Sequence, residues 1–326
     1  MEPKDKYFSP PQGLICPLVS PLMDDNTIDS ASLERLLEHV GRAVDGVLLC
    51  DAIWGEGTVL SAEIRFDLVS SALEIIRGRW PVLIFITGKT LRDTQLFMAQ
   101  MEELINKIEY RGKLFWVDYP LYYHSNRGLP QMYLELMTKT EIPLIIANLP
   151  YLVKQQKGLV KRGNIRTSVL KKIVRNTEIR GMIFTGDLKR SFNYQMAARS
   201  GSGFVFYDGD EAVFLKNPGM GGVVAGGSNL VPGKWLEITR FSLNQYDKKK
   251  RIQISRPAVL ESGTMLQFLY SLCNAAPAVY MKKILCKVGI IDSSHSYSSV
   301  ESLKLSRQEK AWQDELKVFL NTYDMV

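Results

Sequence analysis

The sequence predicts a parallel (β/α)8 barrel with a helical extension at its C-terminal end. Three observations predict it. Eight short apolar runs recur through the first two-thirds of the 326 residues. Most are continuously apolar rather than alternating, as strands covered on both faces must be. Helical patterns separate them at intervals of roughly 30 residues, the length of a βαβ unit, with the last two shorter.

The expected strands are Leu14 to Leu22, Gly46 to Ala52, Val82 to Thr87, Leu114 to Tyr119, Pro143 to Leu149, Gly181 to Thr185, Gly203 to Tyr207 and Gly222 to Gly226. Between the first two, Ser30 can cap a helix whose Leu33, Leu36 and Leu37 fall on one face. Ser61-Ala62-Glu63-Ile64 opens the next helix. Thr90-Leu91-Arg92-Asp93 opens a third with the threonine-x-x-acid pattern of a capping box. Beyond about Ser255 the pattern becomes helical: Leu266, Leu269, Tyr270 and Cys273 recur at helical spacing, as do Trp312, Leu316 and Leu320. The division expected is a barrel over residues 1–245 and an extension over 246–326.

An apolar fraction of 46% and a charged fraction of 23% are those of an ordinary globular protein. No run approaches the ~20 apolar residues of a membrane helix. The start, Met1 to Gln12, is polar and proline-rich, unlike a secretory signal. Cys16, Cys50, Cys273 and Cys286 lack metal-type spacing, so reduced core thiols and a cytoplasmic setting are expected. The net charge is +7, yet the one dense basic run, Lys248-Lys249-Lys250-Arg251, falls in a polar connection, so no nucleic-acid partner is expected. No membrane partner, cofactor or metal is expected either.

Active sites of such barrels lie at the C-terminal strand ends. Lys89, just after the third strand, is an amine that desolvation could activate as base or nucleophile; the competing reading is an exposed turn lysine. Lys154, Lys157 and Lys189 read as solvated. Asp51, Asp118, Asp187, Asp208 and Asp210 collect at strand ends, but side-chain alternation prevents all of them from pointing inward, and His124 is the only histidine near this face. Trp54, Phe184, Tyr122, Tyr151 and Tyr207 are expected to crowd the mouth, either plugging it or lining an apolar pocket.

Several motifs resemble the dihydrodipicolinate synthase and N-acetylneuraminate lyase family of pyruvate-handling aldolases. Gly13 to Pro21 looks like its first strand, and Thr27-Ile28-Asp29 like the element before its first helix. Gly55, Glu56, Leu60 and Ser61 match the G-T-T-G-E-x-x-x-L-s motif, with the two threonine positions falling on Ile53 and Trp54. Pro120 to Tyr123 resembles the P-Y-Y element, Tyr122 matching the tyrosine that reaches across a dimer interface. Asn148 and Pro150 match the fifth-strand motif, whose tyrosine falls on Ala147 and whose arginine falls on Leu152. Aligned on Gly181 and Thr185-Gly186, the imine-forming lysine falls on Ile183. Gly209-Asp210 and Gly222 to Asn229 resemble the seventh-strand G-D element and the glycine-rich eighth strand.

The resemblance implies the barrel, an oligomer (dimer or tetramer) and a pocket at Trp54, Gly55, Glu56, Tyr122, Asn148, Phe184, Asp208 and Gly226. A hydrocarbon at position 183 cannot form an imine. The expectation is therefore a non-catalytic binding, regulatory or structural homologue, as a homo-oligomer or beside an active paralogue. The alternative is a lyase or aldolase acting on a small 2-oxo acid or sugar acid through altered residues. Imine chemistry on a relocated lysine is the third reading.

Overall fold

The computed structural model describes residues 9–155, 162–201, 203–243, 256–297 and 309–325. Eight parallel strands close into a barrel: β1 Gly13–Pro17, β2 Gly46–Leu49, β3 Val82–Phe85, β4 Leu114–Asp118, β5 Leu144–Asn148, β6 Ile179–Phe184, β7 Val205–Asp208 and β8 Gly222–Val224. Leu14 of β1 pairs with Val223 of β8, so the sheet has no edge. Nearly every strand residue is buried, which is why the runs are apolar without alternation.

The helices between the strands are α1 Ser30–Gly41, α2 Ala62–Ile76, α3 Leu91–Lys107, α4 Leu129–Met137, α5 Pro150–Gln155, α6 Thr167–Ile173, α7 Leu188–Ala198 and α8 Glu211–Lys216. α9 Pro232–Ser242 follows β8. The caps explain where helices begin. Thr90 and Asp93 form the expected reciprocal capping box, and Ser61 accepts from the Ile64 amide at 3.3 Å. The cap of α1 is Asp29 rather than Ser30: its carboxylate accepts from Ser32 N at 3.0 Å and from Ser32 Oγ at 2.5 Å, leaving Ser30 as the first helical residue.

The first strand is shorter than its apolar run. Pro17 and Pro21 remove ladder donors, and the chain turns so that Leu22 bridges back to Ile28. The sixth starts two residues before Gly181, with a register irregularity between Leu144 and Ile145 of its neighbour.

Three further helices, α10 Arg256–Cys273, α11 Pro277–Lys287 and α12 Glu309–Thr322, pack beside the barrel. Trp312 of α12 stacks on Tyr280 of α11 at 4.5 Å and donates its indole N–H to Leu272 O at 2.9 Å. α10 lies against α8 and α9, which brings the extension over the C-terminal ends of the strands. The four cysteines are free, and burial pushes the Cys16 thiol up to about 12 and the Cys50 thiol up to about 11. Among the described residues, no helix is long and apolar enough to cross a membrane. The basic run at 248–251 and Lys157 lie outside the described residues.

Candidate functional site

The site begins with a tight turn after β2. Cys50 and Glu56 both adopt left-handed backbone conformations, at φ 55° and 54°. Between them the chain folds back until Gly57 N donates to Asp51 O at 2.8 Å. Such conformations cost about 1 kcal/mol or more each and persist where the surroundings over-determine them. The turn returns the Asp51 side chain onto its own backbone: Oδ2 accepts from Ile53 N and Trp54 N, each at 2.9 Å. Burial raises the Asp51 pKa, while these two amides oppose the rise. A carboxylate of the protein therefore fills the pair of donors at the centre of the turn.

Trp54 then lies across the end of β8. A Cβ placed on Gly226 would sit 2.0 Å from Trp54 Cε2, so only glycine lets the indole approach this closely. The ring is part of a partition between two spaces. The inner space, about 20 Å³, is walled by Phe85, Val117, Ala147, Ile183 and Asp51. It is large enough for about one water. The outer space is a cleft of about 420 Å³ between the barrel mouth and helices α10 and α11. Ile53, Trp54, Gly209 and Val224 border both. No lysine, arginine or histidine lines either one among the described residues.

The carboxylates around the cleft have distinct environments. Glu56 pairs with Lys282 of α11, both side chains buried. Its Oε1 accepts from Tyr297 N at 2.9 Å, and the Lys282 ammonium also donates to His295 O at 2.9 Å. Burial pulls the Lys282 pKa below its ordinary value, and Glu56 opposes that pull. Glu211 Oε1 accepts from Gly226 N and, at 3.1 Å, from Gly227 N. Desolvation nonetheless raises its pKa from 4.5 to about 7. Asp210 caps α8, its Oδ1 accepting from Val213 N at 3.1 Å.

The other strand-end carboxylates diverge from the mouth. Asp118 faces outward and accepts from three hydroxyls, Thr87 at 2.7 Å, Tyr123 at 2.8 Å and Tyr133 at 2.9 Å. Asp187 caps α7. Asp208 opens with Asp187 onto a separate cleft between α7 and α8, and burial raises its pKa from 3.8 to about 7. Among the described residues, no group of three or more His, Cys, Asp or Glu side chains is arranged to hold a metal ion.

The structure brings together some of the residues singled out in the sequence and separates others. Ile53, Trp54, Ala147 and Ile183 meet at the inner space, and Trp54, Glu56, Tyr151 and Leu152 at the outer cleft. Gly55 lies within the turn, its carbonyl accepting from Ser20 Oγ at 2.8 Å. Phe184 does not reach the mouth. It follows inward-facing Ile183, so its ring points outward and packs edge-on against Tyr194 of α7 at 5.3 Å. Asp208 is displaced for the same reason, since its neighbour Gly209 takes the mouth position. Tyr207 reaches the opposite end of the barrel, donating to Pro11 O at 2.5 Å. Asn148 is tied down at the barrel wall, donating to Asn164 Oδ1 at 3.0 Å and accepting from Ile165 N at 2.9 Å. Tyr122 and the exposed Lys89 line a groove between α2 and α3 that also contains Arg65. His124 makes a local contact, its Nδ1 donating to Ser125 O at 2.7 Å.

Three features were not read from the sequence: the Asp51 clasp, the Glu56–Lys282 pair, and the outer wall built by Tyr270 and residues 274–279. One signal for the pair was present. Lys282 sits among Tyr280, Met281, Ile284 and Leu285, an otherwise buried stretch in which a lone ammonium demands a counter-charge.

A model of the dihydrodipicolinate synthetase family matches residues 10–261. The chain belongs to that family. The 4-hydroxy-tetrahydrodipicolinate synthases of Shewanella baltica and Shewanella frigidimarina are 26% and 28% identical to it, each alignment covering 87% of this chain and 90% of the relative. The dihydrodipicolinate synthase of Bacteroides thetaiotaomicron superposes with a TM-score of 0.76 at 20% identity, covering 95% of this chain and 99% of that one. That of Acinetobacter baumannii, solved in complex with pyruvate, gives 0.75 at 18%, covering 97% and 100%. A monomeric dihydrodipicolinate synthase variant gives 0.74 at 19%, covering all of both chains. At these identities the structural likeness carries the fold.

Proposed function

We propose that this family member does not carry out imine-forming aldolase chemistry and serves as a binding, regulatory or structural homologue. The observation that carries the reading is the clasp of Asp51 on the Ile53 and Trp54 amides. By the motif resemblance these two positions fall where the family has the threonines that bind the keto-acid carboxylate, and Ile183 where it has the lysine. An internal carboxylate on that backbone competes with any substrate carboxylate by charge and by occupancy. The inner space of about 20 Å³ leaves no room for a three-carbon acid beneath Trp54. Four free thiols, three of them buried, suit a reducing cytoplasm. We take the assembly to be oligomeric, as a homo-oligomer or with an active paralogue, with a boundary between barrel and extension near residues 245 and 246.

The relatives' names favour a second reading, an enzyme acting on a small 2-oxo acid or sugar acid through altered residues. Lys89 would be its amine, or Asp208 its acid. Borohydride trapping with pyruvate, read by intact-mass spectrometry and peptide mapping, separates the two. No adduct is expected beside a positive control enzyme. An adduct on any lysine overturns the first reading and locates the nucleophile.

A further inference from the structure

The outer cleft is built for a charge opposite to that of an oxo acid. Its described lining carries three carboxylates and no cationic side chain. Two of the three are already engaged, Glu56 by Lys282 and Tyr297 N, and Glu211 by the Gly226 and Gly227 amides. Asp210 is different: among the described residues only its Oδ1 is hydrogen-bonded, for the cap of α8, and it lines the cleft. Three aromatic residues, Trp54, Tyr151 and Tyr270, line the same cleft. The Tyr151 hydroxyl is shielded from solvent and has no hydrogen-bond partner among the described residues. The ring, not the sealed hydroxyl, is the face that Tyr151 offers to the cleft.

We propose that this cleft binds a small organic primary ammonium ion, its charge held by Asp210 among the rings of Trp54, Tyr151 and Tyr270. Aromatic faces attract a cation through their quadrupoles, most strongly where water is excluded, and a carboxylate adds charge-assisted N–H bonds. The negative potential is felt by the neighbours. Asp210 raises the pKa of Asp208, Glu211, Tyr151 and Tyr270, in each case beside a larger contribution from burial. A carboxylate ligand meets the same potential as repulsion, with no counter-ion among the described residues of the wall, whereas an ammonium relieves it. The volume of about 420 Å³ lies within the range of small-molecule pockets. This inference builds on the binding-protein reading and names its ligand class.

The test is isothermal titration calorimetry of the full chain with putrescine, pyruvate and erythritol, probes of similar size and different charge. Putrescine is expected to bind saturably at one site per chain, with pyruvate and erythritol silent. Asp210→Asn keeps a side-chain oxygen to cap α8 and so preserves the helix start. It is expected to weaken putrescine about tenfold or more, as loss of a charge-assisted contact does. Tyr270→Phe should retain binding and Tyr270→Ala should weaken it. The inference falls if putrescine does not bind, if pyruvate or erythritol binds as tightly, or if Asp210→Asn leaves the affinity unchanged while its melting curve matches wild type. Borohydride trapping stays independent: a pyruvate adduct removes the non-catalytic reading and leaves the cation site standing. Absence of putrescine binding together with absence of an adduct removes only the cation site.

Discussion

The two spaces at the C-terminal end of the barrel lie on either side of one indole ring, yet they differ in every physical respect. The inner one is about 20 Å³, walled by hydrocarbon and one carboxylate that has closed on its own backbone. The outer one is about 420 Å³, with hydroxyls, aromatic faces and acids facing water. In a (β/α)8 barrel the strand ends supply the usual floor of a site. Here the floor is filled and the volume has moved outward, where the wall is shared between a strand-end turn and the C-terminal helices. The contrast shows where this barrel mouth leaves accessible volume and where it leaves none.

The sharpest way to break the contrast is to detach the outer wall. Lys282→Met leaves Glu56 buried without its cation, and the expected loss is about 3 to 5 kcal/mol. Urea unfolding measures it, and Glu56→Gln in the same chain should recover part of the loss. If Lys282→Met alone is neutral, the pair does not hold the wall.

Next is the partition itself. Gly226→Ala forces a methyl into the Trp54 ring and should cost about 1 to 3 kcal/mol by overpacking. Adding Trp54→Ala should relieve the clash and join the two spaces; a melting temperature unmoved by Gly226→Ala would mean that the indole is free to swing away.

Asp51→Ala exposes two amide donors inside the turn, at a cost of about 1 to 2 kcal/mol. Formate should restore part of that stability to the variant and none to the wild type, because a ligand stabilises only the state that binds it. Equal response of both proteins would remove the idea that Asp51 occupies a carboxylate hole.

The last effect is one of slope. Glu211 has a folded-state pKa near 7, above the 4.5 of an unhindered glutamate. The native state thus holds its proton over a pH range where the unfolded state has released it. Stability contributed by this group falls as pH rises from about 4.5 to about 7, at up to about 1.4 kcal/mol per pH unit. Glu211→Gln retains the acceptor for the Gly226 and Gly227 amides and should flatten that part of the pH profile. An unchanged profile would place the buried charge elsewhere.

The strands were legible because a buried parallel sheet writes itself as continuous apolar runs, and the capping box of Thr90 and Asp93 because it is local in sequence. Residues singled out in the sequence line the two spaces where motif spacing fixes them, as at Ile53, Trp54, Glu56, Ala147, Leu152 and Ile183. Motif spacing places a residue at a strand end but does not say which way it points. Phe184 and Asp208 were drawn into the mouth because they neighbour Ile183 and Gly209, and alternation sends them outward. The outer wall was invisible for another reason. Tyr270 and Lys282 reach the mouth only through the packing of α10 and α11 on the barrel, a contact between distant parts of the chain that no local pattern encodes.

That distance has a consequence for how the protein is made. Glu56 and its ammonium partner are 226 residues apart. A ribosome adding about 5 to 20 residues per second exposes the carboxylate roughly 10 to 45 seconds before its counter-ion is synthesised. Throughout that interval the nascent barrel carries an unneutralised acid in a turn with two left-handed residues, and its mouth stays uncovered. Closure of the barrel top therefore waits until α11 has been made. Chains truncated before α11 should emerge as expanded, chaperone-dependent species rather than as smaller native barrels.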